Sequence, residues 1–404
     1  MNKSKFFSGQ PIFTQLLQYL PKSEVLRLAR QNNSDRYYKK FTTHSHLIAM
    51  LYTCYEGCTS LREVVTGMQA CEGKLQSLHL QSLPARSTFS EANKHRNYEV
   101  FESIYYHLLE RYRQFLPDSR SKKDRLSRRL MLIDSTTISL FREILKNAGP
   151  AKANGKKKGG IKVHMVVRSS EDVPCLIRLT AAAQGDAPFL QHVHLKKGSV
   201  VVMDRGYNGF SKLLEWNKNG VWWVTRLRSN THQEIIKNNP VSKQDAADGI
   251  LQDQCIIMGA PKKQIPKVRC RLIRFYDKTD NKELTFITNN FQWKASRIAA
   301  IYKRRWQIEL LFKRLKQNMP LEYFLGDNEN AIKIQIFCSL IADLLLKLAT
   351  ARVKRRWAHS NLASLVRLHL MNYTQLINFL ENPYQSKIID PVPHGQLPLF
   401  EMSG

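Results

Sequence analysis

Apolar residues follow two different spacings along this chain, and the change from one to the other divides it. Over residues 1–120 they recur every three to four positions, as on helices: FTTHSHLIAMLYTCY (41–55), LREVVTGM (61–68), a segment opening at Ser87, and YEVFESIYYHLLERYRQF (98–115). Thr59 or Ser60 stands where a helix cap is needed, and Ser87 or Thr88 does so for the next helix. The basic run STFSEANKHR (87–96) suits a helix-turn-helix that reads DNA, and equally a plain helical bundle. DSRSKKDRLSRR (118–129) is polar and charged, a linker or a backbone-contacting segment.

From Arg129 the pattern becomes that of strands. RLMLIDSTTISL (129–140), IKVHMVVR (161–168) and VPCLIRLTAAA (173–183) suggest an antiparallel meander, with the cationic loop ANGKKKGG (153–160) inside it. GSVVVMD (198–204) is continuously apolar, the mark of a strand buried on both faces, and GVWWVTRL (220–227) is another strand. Residues 229–283 hold short strands (CIIMG, VRCRLIRFY) between polar turns and read as a β-rich insertion; LTFITNN (284–290) then returns to a buried strand. One helix is expected over IYKRRWQIELLFKRLK (301–316), then a helical C-terminal region from 326 with a Pro-containing tail to 404. The fold class is therefore α/β. A mixed sheet over 125–228 and 284–325 is interrupted at 229–283, with a helical N-terminal domain at 1–120, the expected DNA-end-binding part, and a helical C-terminal region.

Charge narrows the partners. The 404 residues carry 63 Lys and Arg against 33 Asp and Glu, a net charge of +30, which points to a polyanion, nucleic acid before membrane. No apolar run reaches ~18 residues, so no membrane span is expected. Seven scattered cysteines, an odd number, fit reduced thiols in the cytoplasm. Cys54 and Cys58 near His44 and His46 have a zinc-like look, but their helical spacing in an apolar run favours core packing.

Candidate chemistry centres on 301–316. On a continuous helix Tyr302, Arg305, Glu309 and Lys316 fall within about 60° of one another, beside an apolar stripe of Ile301, Ile308, Leu311, Phe312 and Leu315. A lone Glu among cations is ordinarily a surface ion pair. Two strands, however, are each expected to end in an aspartate: Asp134 after LMLI and Asp204 after VVVM. Three carboxylates suit two divalent cations about 4 Å apart, and oxygen-only ligation selects Mg2+ or Mn2+. Such a site activates a water or 3′-hydroxyl for attack at phosphorus.

The order strand-Asp, strand-Asp, insertion, helix-Glu resembles the DDE transposases with an RNase H-like fold. Tyr302-x2-Arg305-x3-Glu309-x6-Lys316 matches the signature of the insertion-sequence-4 transposase family at each position, and Ile133-Asp134-Ser135 and Met203-Asp204-Arg205-Gly206-Tyr207 are similar to the segments carrying its first two acids. The resemblance implies a catalytic and metal-binding triad of Asp134, Asp204 and Glu309, with Tyr302, Arg305 and Lys316 on transposon-end phosphates. Arg205, Lys156, Lys157 and Lys158 are further candidate DNA contacts. It implies cut-and-paste transfer through a hairpin end, double-stranded inverted-repeat and target DNA as partners, and a homodimer assembled on DNA. It also implies a bacterial cytoplasmic setting, nucleoid-associated when active. One of Trp222, Trp223 or Trp293 is a candidate to stack an extruded base. The alternatives are another RNase H-like nuclease or resolvase, or an inactive DNA-binding relic.

Overall fold

The computed structural model describes residues 9–75, 78, 80, 83–116, 126–139, 150–151, 158–229, 231–259, 266–319, 321 and 323–383. Seven helices come first: α1 (Ile12–Leu17), α2 (Lys22–Gln31), α3 (Thr43–Glu56), α4 (Leu61–Ala70), α5 (Glu72–Leu75), α6 (Arg86–His95) and α7 (Glu99–Tyr112). Ser60 caps α4 through its side chain, and Glu63 reaches back to the Thr59 amide at 2.7 Å, satisfying two amides that the helix cannot. Ser87 and Thr88 cap nothing: α6 begins one residue earlier with Ala85 as its N-cap, and both hydroxyl residues sit inside its first turn.

Strands β1 (Leu130–Ser139), β2 (Pro150–Ala151), β3 (Lys158–Arg168), β4 (Val173–Ala181), β5 (Val200–Met203) and β6 (Trp222–Arg226) follow, with α8 (Phe210–Lys218) between the last two. β7 (Gln233–Asn238), α9 (Lys243–Ala247), β8 (Ile250–Met258), β9 (Val268–Asp277) and β10 (Lys282–Thr288) come next. The chain then runs through α10 (Ala295–Lys303), α11 (Trp306–Asn318), α12 (Glu329–Thr350), α13 (His359–Leu368) and α14 (Leu376–Glu381). β4, β3 and β1 pair antiparallel as the expected meander. β5 and β6 then add parallel to β1. Three antiparallel strands followed by two parallel ones give the mixed sheet of an RNase H-like domain. The strands of 229–283 extend that same sheet, in the order β6-β10-β9-β8-β7.

Side chains of β5 alternate between two cores, as period-2 geometry demands. Val200 and Val202, with Leu130, Leu132 and Val224, face α10, α11, α12 and the N-terminal helices. Val201 and Met203, with Ile133 and Trp223, face the other way onto Leu213 and Trp216 of α8. The 22-residue α12 is buried along nearly its whole length, packing on α3, α6 and α7, so N-terminal and C-terminal helices share one layer. A helix apolar all round belongs in a core. Among the described residues no helix is long and apolar enough to cross a membrane. Cys54, Cys58, His44 and His46 are buried there, with His46 Nε2 2.7 Å from Asn93 Oδ1 and Cys54 Sγ 3.7 Å from Ser339 Oγ.

Candidate active site

Parallel pairing of β1 with β5 runs from Leu130↔Val200 to Ile133↔Met203 and stops. The next residues are Asp134 and Asp204, so strand register alone sets two carboxylates on neighbouring strands, about 5 Å apart in backbone. Asp204 ends its strand as expected. Asp134 does not: β1 continues to Ser139, because its other edge stays paired to β3, Asp134 opposite Met165. The acid therefore lies where one partner strand departs, and a chain can part there without losing the strand.

The expected single helix 301–316 is two. α10 ends at Lys303 and α11 starts at Trp306; between them Arg305 N–H donates to Tyr302 O at 2.9 Å and Ile308 N–H to Arg305 O at 3.0 Å, bonds that span three residues instead of four. Such a turn is tighter than an α-helix and rotates each residue by about 120°. Across this break Arg305 still lies 5.7 Å from the Tyr302 ring centroid and pairs with Glu309 one turn on. Tyr302 is buried against Phe286, ring centroids 4.6 Å apart, and its hydroxyl donates to Asp204 Oδ1 at 3.3 Å. Arg305 donates through one terminal nitrogen to Asp134 Oδ2 and lies through the other on Glu309 Oε1, both at 2.6 Å. Lys316 donates to Thr137 O at 3.1 Å, farther along β1. The structure thus gathers Asp134, Asp204, Glu309, Tyr302 and Arg305 around the fork of β1 and β5, with Lys316 beside them.

Burial disfavours charge on Asp134 and lifts its pKa to about 6; Arg305 and the Ser135 amide oppose the shift, and the charges of Asp204 and Glu309 add to it. Burial likewise pushes the Tyr302 hydroxyl up to about 12. Burial works against the Arg305 cation, yet Tyr302, Asp134 and Glu309 outweigh it and hold its pKa above the usual value. Its guanidinium also lies 5.7 Å from the centroid of the Tyr302 ring.

Divalent cations are implied by the three acids, and the donor set fits them: carboxylate oxygens only, more acid than local cation, and one guanidinium already standing between two of them. As the side chains stand, no three His, Cys, Asp or Glu among the described residues are gathered closely enough to hold an ion.

Other expected contacts fall less tightly. Arg205 is exposed on the turn after Asp204. Lys158 is the first residue of β3, and Lys156 and Lys157 lie outside the described residues. Trp223 is fully buried, while Trp222 and Trp293 are half-buried, 6.3 Å apart between ring centroids. Sequence reasoning passed over Arg228, which donates to Arg205 O at 2.8 Å and Gly206 O at 2.7 Å and so braces the turn carrying Asp204. It also passed over Asp186, bonded to Ser135 and Lys162. Neither carries a local signal: Arg228 follows a strand among other polar residues, and Asp186 precedes Ala-Pro like a turn residue.

Comparison with known proteins gives the class of enzyme. The family model described as "Transposase DDE domain" matches residues 125–345, more than half of the chain, and the protein belongs to that family. A second model, "Domain of unknown function (DUF4372)", matches residues 8–80. A protein of Sinorhizobium fredii (strain NBRC 101917 / NGR234) named as transposase y4zB is 32% identical over 67% of this chain and 73% of its own. One of Synechocystis sp. (strain ATCC 27184 / PCC 6803 / Kazusa), named as a transposase for insertion sequence element IS4SA, is 29% identical over 65% and 71%. Among solved structures, a piggyBac transposase synaptic complex with hairpin DNA matches at a TM-score of 0.42 and 11% identity, covering 94% of this chain and 81% of that one. A likeness that loose supports no conclusion. The chain is a DDE transposase, an enzyme that binds, cuts and transfers DNA.

Proposed function

We propose that this transposase cleaves the ends of an insertion sequence and joins them to target DNA at a site built by Asp134, Asp204 and Glu309. The observation that carries the reading is Arg305 held between Asp134 and Glu309 at 2.6 Å each, beside the strand pairing that delivers Asp204. Arg305 links the acids of β1 and α11, and Tyr302 of α10 contacts the acid after β5, which supports the reading. Asp134, Asp204 and Glu309 would hold two Mg2+ or Mn2+ ions, which when bound supply activation of a water or 3′-hydroxyl and stabilisation of the leaving oxygen.

The chain's own residues do the rest. Arg305, released from the acids, offers a planar fork to a phosphate at the scissile bond. Tyr302 keeps Asp204 oriented through its hydroxyl and stays protonated at neutral pH. Lys316, its pKa lowered by burial, adds a cation on the far side of Asp134. The resemblance to the insertion-sequence-4 family extends the reading to a hairpinned DNA end as intermediate and to two copies of the chain assembled on double-stranded inverted repeats.

The test is cleavage of a duplex carrying the element's own terminal repeat, in Mg2+ and in Mn2+, by the wild type and by Asp204→Asn. Cleavage by the wild type alone, with end binding kept by the variant, is the expected result. Equal cleavage by both removes Asp204 from the mechanism. Cutting at branched junctions and not at terminal repeats would favour a resolvase.

A further inference from the structure

Asp186 lies after β4 at the N-cap of a short turn, Ala187–His192, yet its side chain caps nothing. An aspartate at that position ordinarily turns back onto the first amides. Here the carboxylate points at the forked strands instead. Oδ1 accepts from Ser135 Oγ at 3.2 Å and from Lys162 Nζ at 3.0 Å, and His164 Nδ1 stands 3.9 Å away. Ser135 follows Asp134 directly, and its amide donates to Asp134 Oδ1 at 2.8 Å. The other oxygen, Oδ2, lies 2.6 Å from where a Cβ on Gly206 would stand, two residues past Asp204. Any side chain at 206 would drive the carboxylate away. One carboxylate therefore touches both segments that carry the strand acids, by a hydrogen bond on one side and by direct packing on backbone on the other.

We propose that Asp186, held by Lys162, is a positioning residue that sets the spacing of the Asp134 and Asp204 carboxylates for divalent cations. The inference rests on the reading of those two acids as metal ligands. Lys162 keeps the Asp186 charge paired and anchors itself on Gln184 O at 2.8 Å. Asp186 then fixes the Ser135 hydroxyl, and with it the backbone that presents Asp134, while wedging against the turn that presents Asp204. Groups that orient metal-binding side chains in this way carry a share of the affinity.

The experiment is a Mn2+ titration by electron paramagnetic resonance, run beside end cleavage and thermal unfolding, on the full chain with Asp186→Ala, Asp186→Asn, Gly206→Ala and Asp134→Asn. Asp186→Ala and Gly206→Ala are expected to weaken Mn2+ binding about tenfold or more and to slow cleavage alike, with end affinity unchanged. Asp186→Asn, which keeps an acceptor for Ser135 and loses the pairing with Lys162, is expected to fall between. Wild-type Mn2+ affinity in soluble Asp186→Asn and Gly206→Ala overturns the proposal, even if Asp186→Ala fails to fold. So does a loss of cleavage that follows the melting temperature alone. If Asp134→Asn itself leaves Mn2+ binding intact, the reading of the acids as ligands fails instead.

Discussion

Helix α11 carries two arginines that look alike and serve opposite ends. Arg305 at its start lies between Asp134 and Glu309; Arg314 lies between Asp172 at 2.6 Å and Asp343 at 3.1 Å. Around Arg314 the charges balance, Arg314 and Lys347 against Asp172 and Asp343. Lys347 is also within 3.2 Å of Asp172 and 3.7 Å of Asp343, and His359 stands 2.9 Å from Asp343. Burial disfavours the Asp343 charge, but Arg314 and Lys347 outweigh it and hold the carboxyl well below its usual range. Around Arg305 the balance is reversed: Asp134 and Glu309 share one guanidinium, and burial, with the Asp204 and Glu309 charges adding to it, lifts Asp134 to about 6. A charge-balanced cluster ties α11 to α12 and to the β3–β4 turn; the one at Arg305 is short of positive charge. An acid cluster short of cations, built on rigid strands, is where metal and phosphate chemistry belongs.

The comparison breaks first on activity. Asp134→Asn, Asp204→Asn and Glu309→Gln should each cut strand cleavage about a thousandfold, several kcal/mol of lost charge stabilisation, without unfolding the protein. Asp343→Asn should do the opposite. Removing one member of a buried ion cluster strands the others, so stability should fall by about 3–5 kcal/mol, read by denaturant melting, while cleavage well below the melting temperature survives. If Asp343→Asn abolished cleavage in a folded protein, the division between the clusters would be wrong.

Replacing each arginine by lysine sharpens the contrast further, because lysine keeps the charge and loses the planar fork. Arg305→Lys should slow cleavage about tenfold and leave the melting temperature near wild type. Arg314→Lys should lower stability by about 2 kcal/mol and leave cleavage near wild type. Exposed Lys313→Ala is the control. Lys303 cannot serve, since it lies 3.0 Å from Asp277 and would take a surface ion pair with it. Identical behaviour of the two variants would mean that the signature at Arg305 has no role beyond packing.

Much of this was readable from residues, and the remainder has identifiable causes. The doubly buried β5, the meander of β1, β3 and β4, and the apolar α12 announce themselves by period and composition, which are local properties. The break at Arg304 and Arg305 does not: no Gly or Pro marks it, both residues keep right-handed helical angles, and only the hydrogen-bond span changes. Asp134 looks like a strand end because polar residues follow it, yet β3 holds β1 together beyond that point. Asp186 and Arg228 act through neighbours far off in sequence, and nothing local distinguishes them from turn residues. Tyr302 reads as polar from its hydroxyl, while its ring is core.

The smallest effect separates the clusters by the sign of their pH dependence. Asp134 has a folded pKa near 6, above that of the unfolded chain, so the native state holds its proton more tightly. Stability then falls as pH rises between about 4 and 6, and the cost persists above. In EDTA at pH 7.5, Asp134→Asn should therefore melt higher than the wild type, by about 1 kcal/mol once solvent screening is allowed for, and the gain should vanish near pH 4. Asp343 has its folded pKa lowered, so its contribution is present above the unfolded carboxylate range and is lost as pH falls through it. The deficit of Asp343→Asn should accordingly shrink on acidification, starting below about pH 4. Melting curves of both variants from pH 3 to 8 give the two trends directly. A metal-free Asp134→Asn less stable than wild type at pH 7.5 would mean that Arg305 satisfies Asp134 as fully as Arg314 satisfies Asp343, and the charge deficit at the fork of β1 and β5 would not exist.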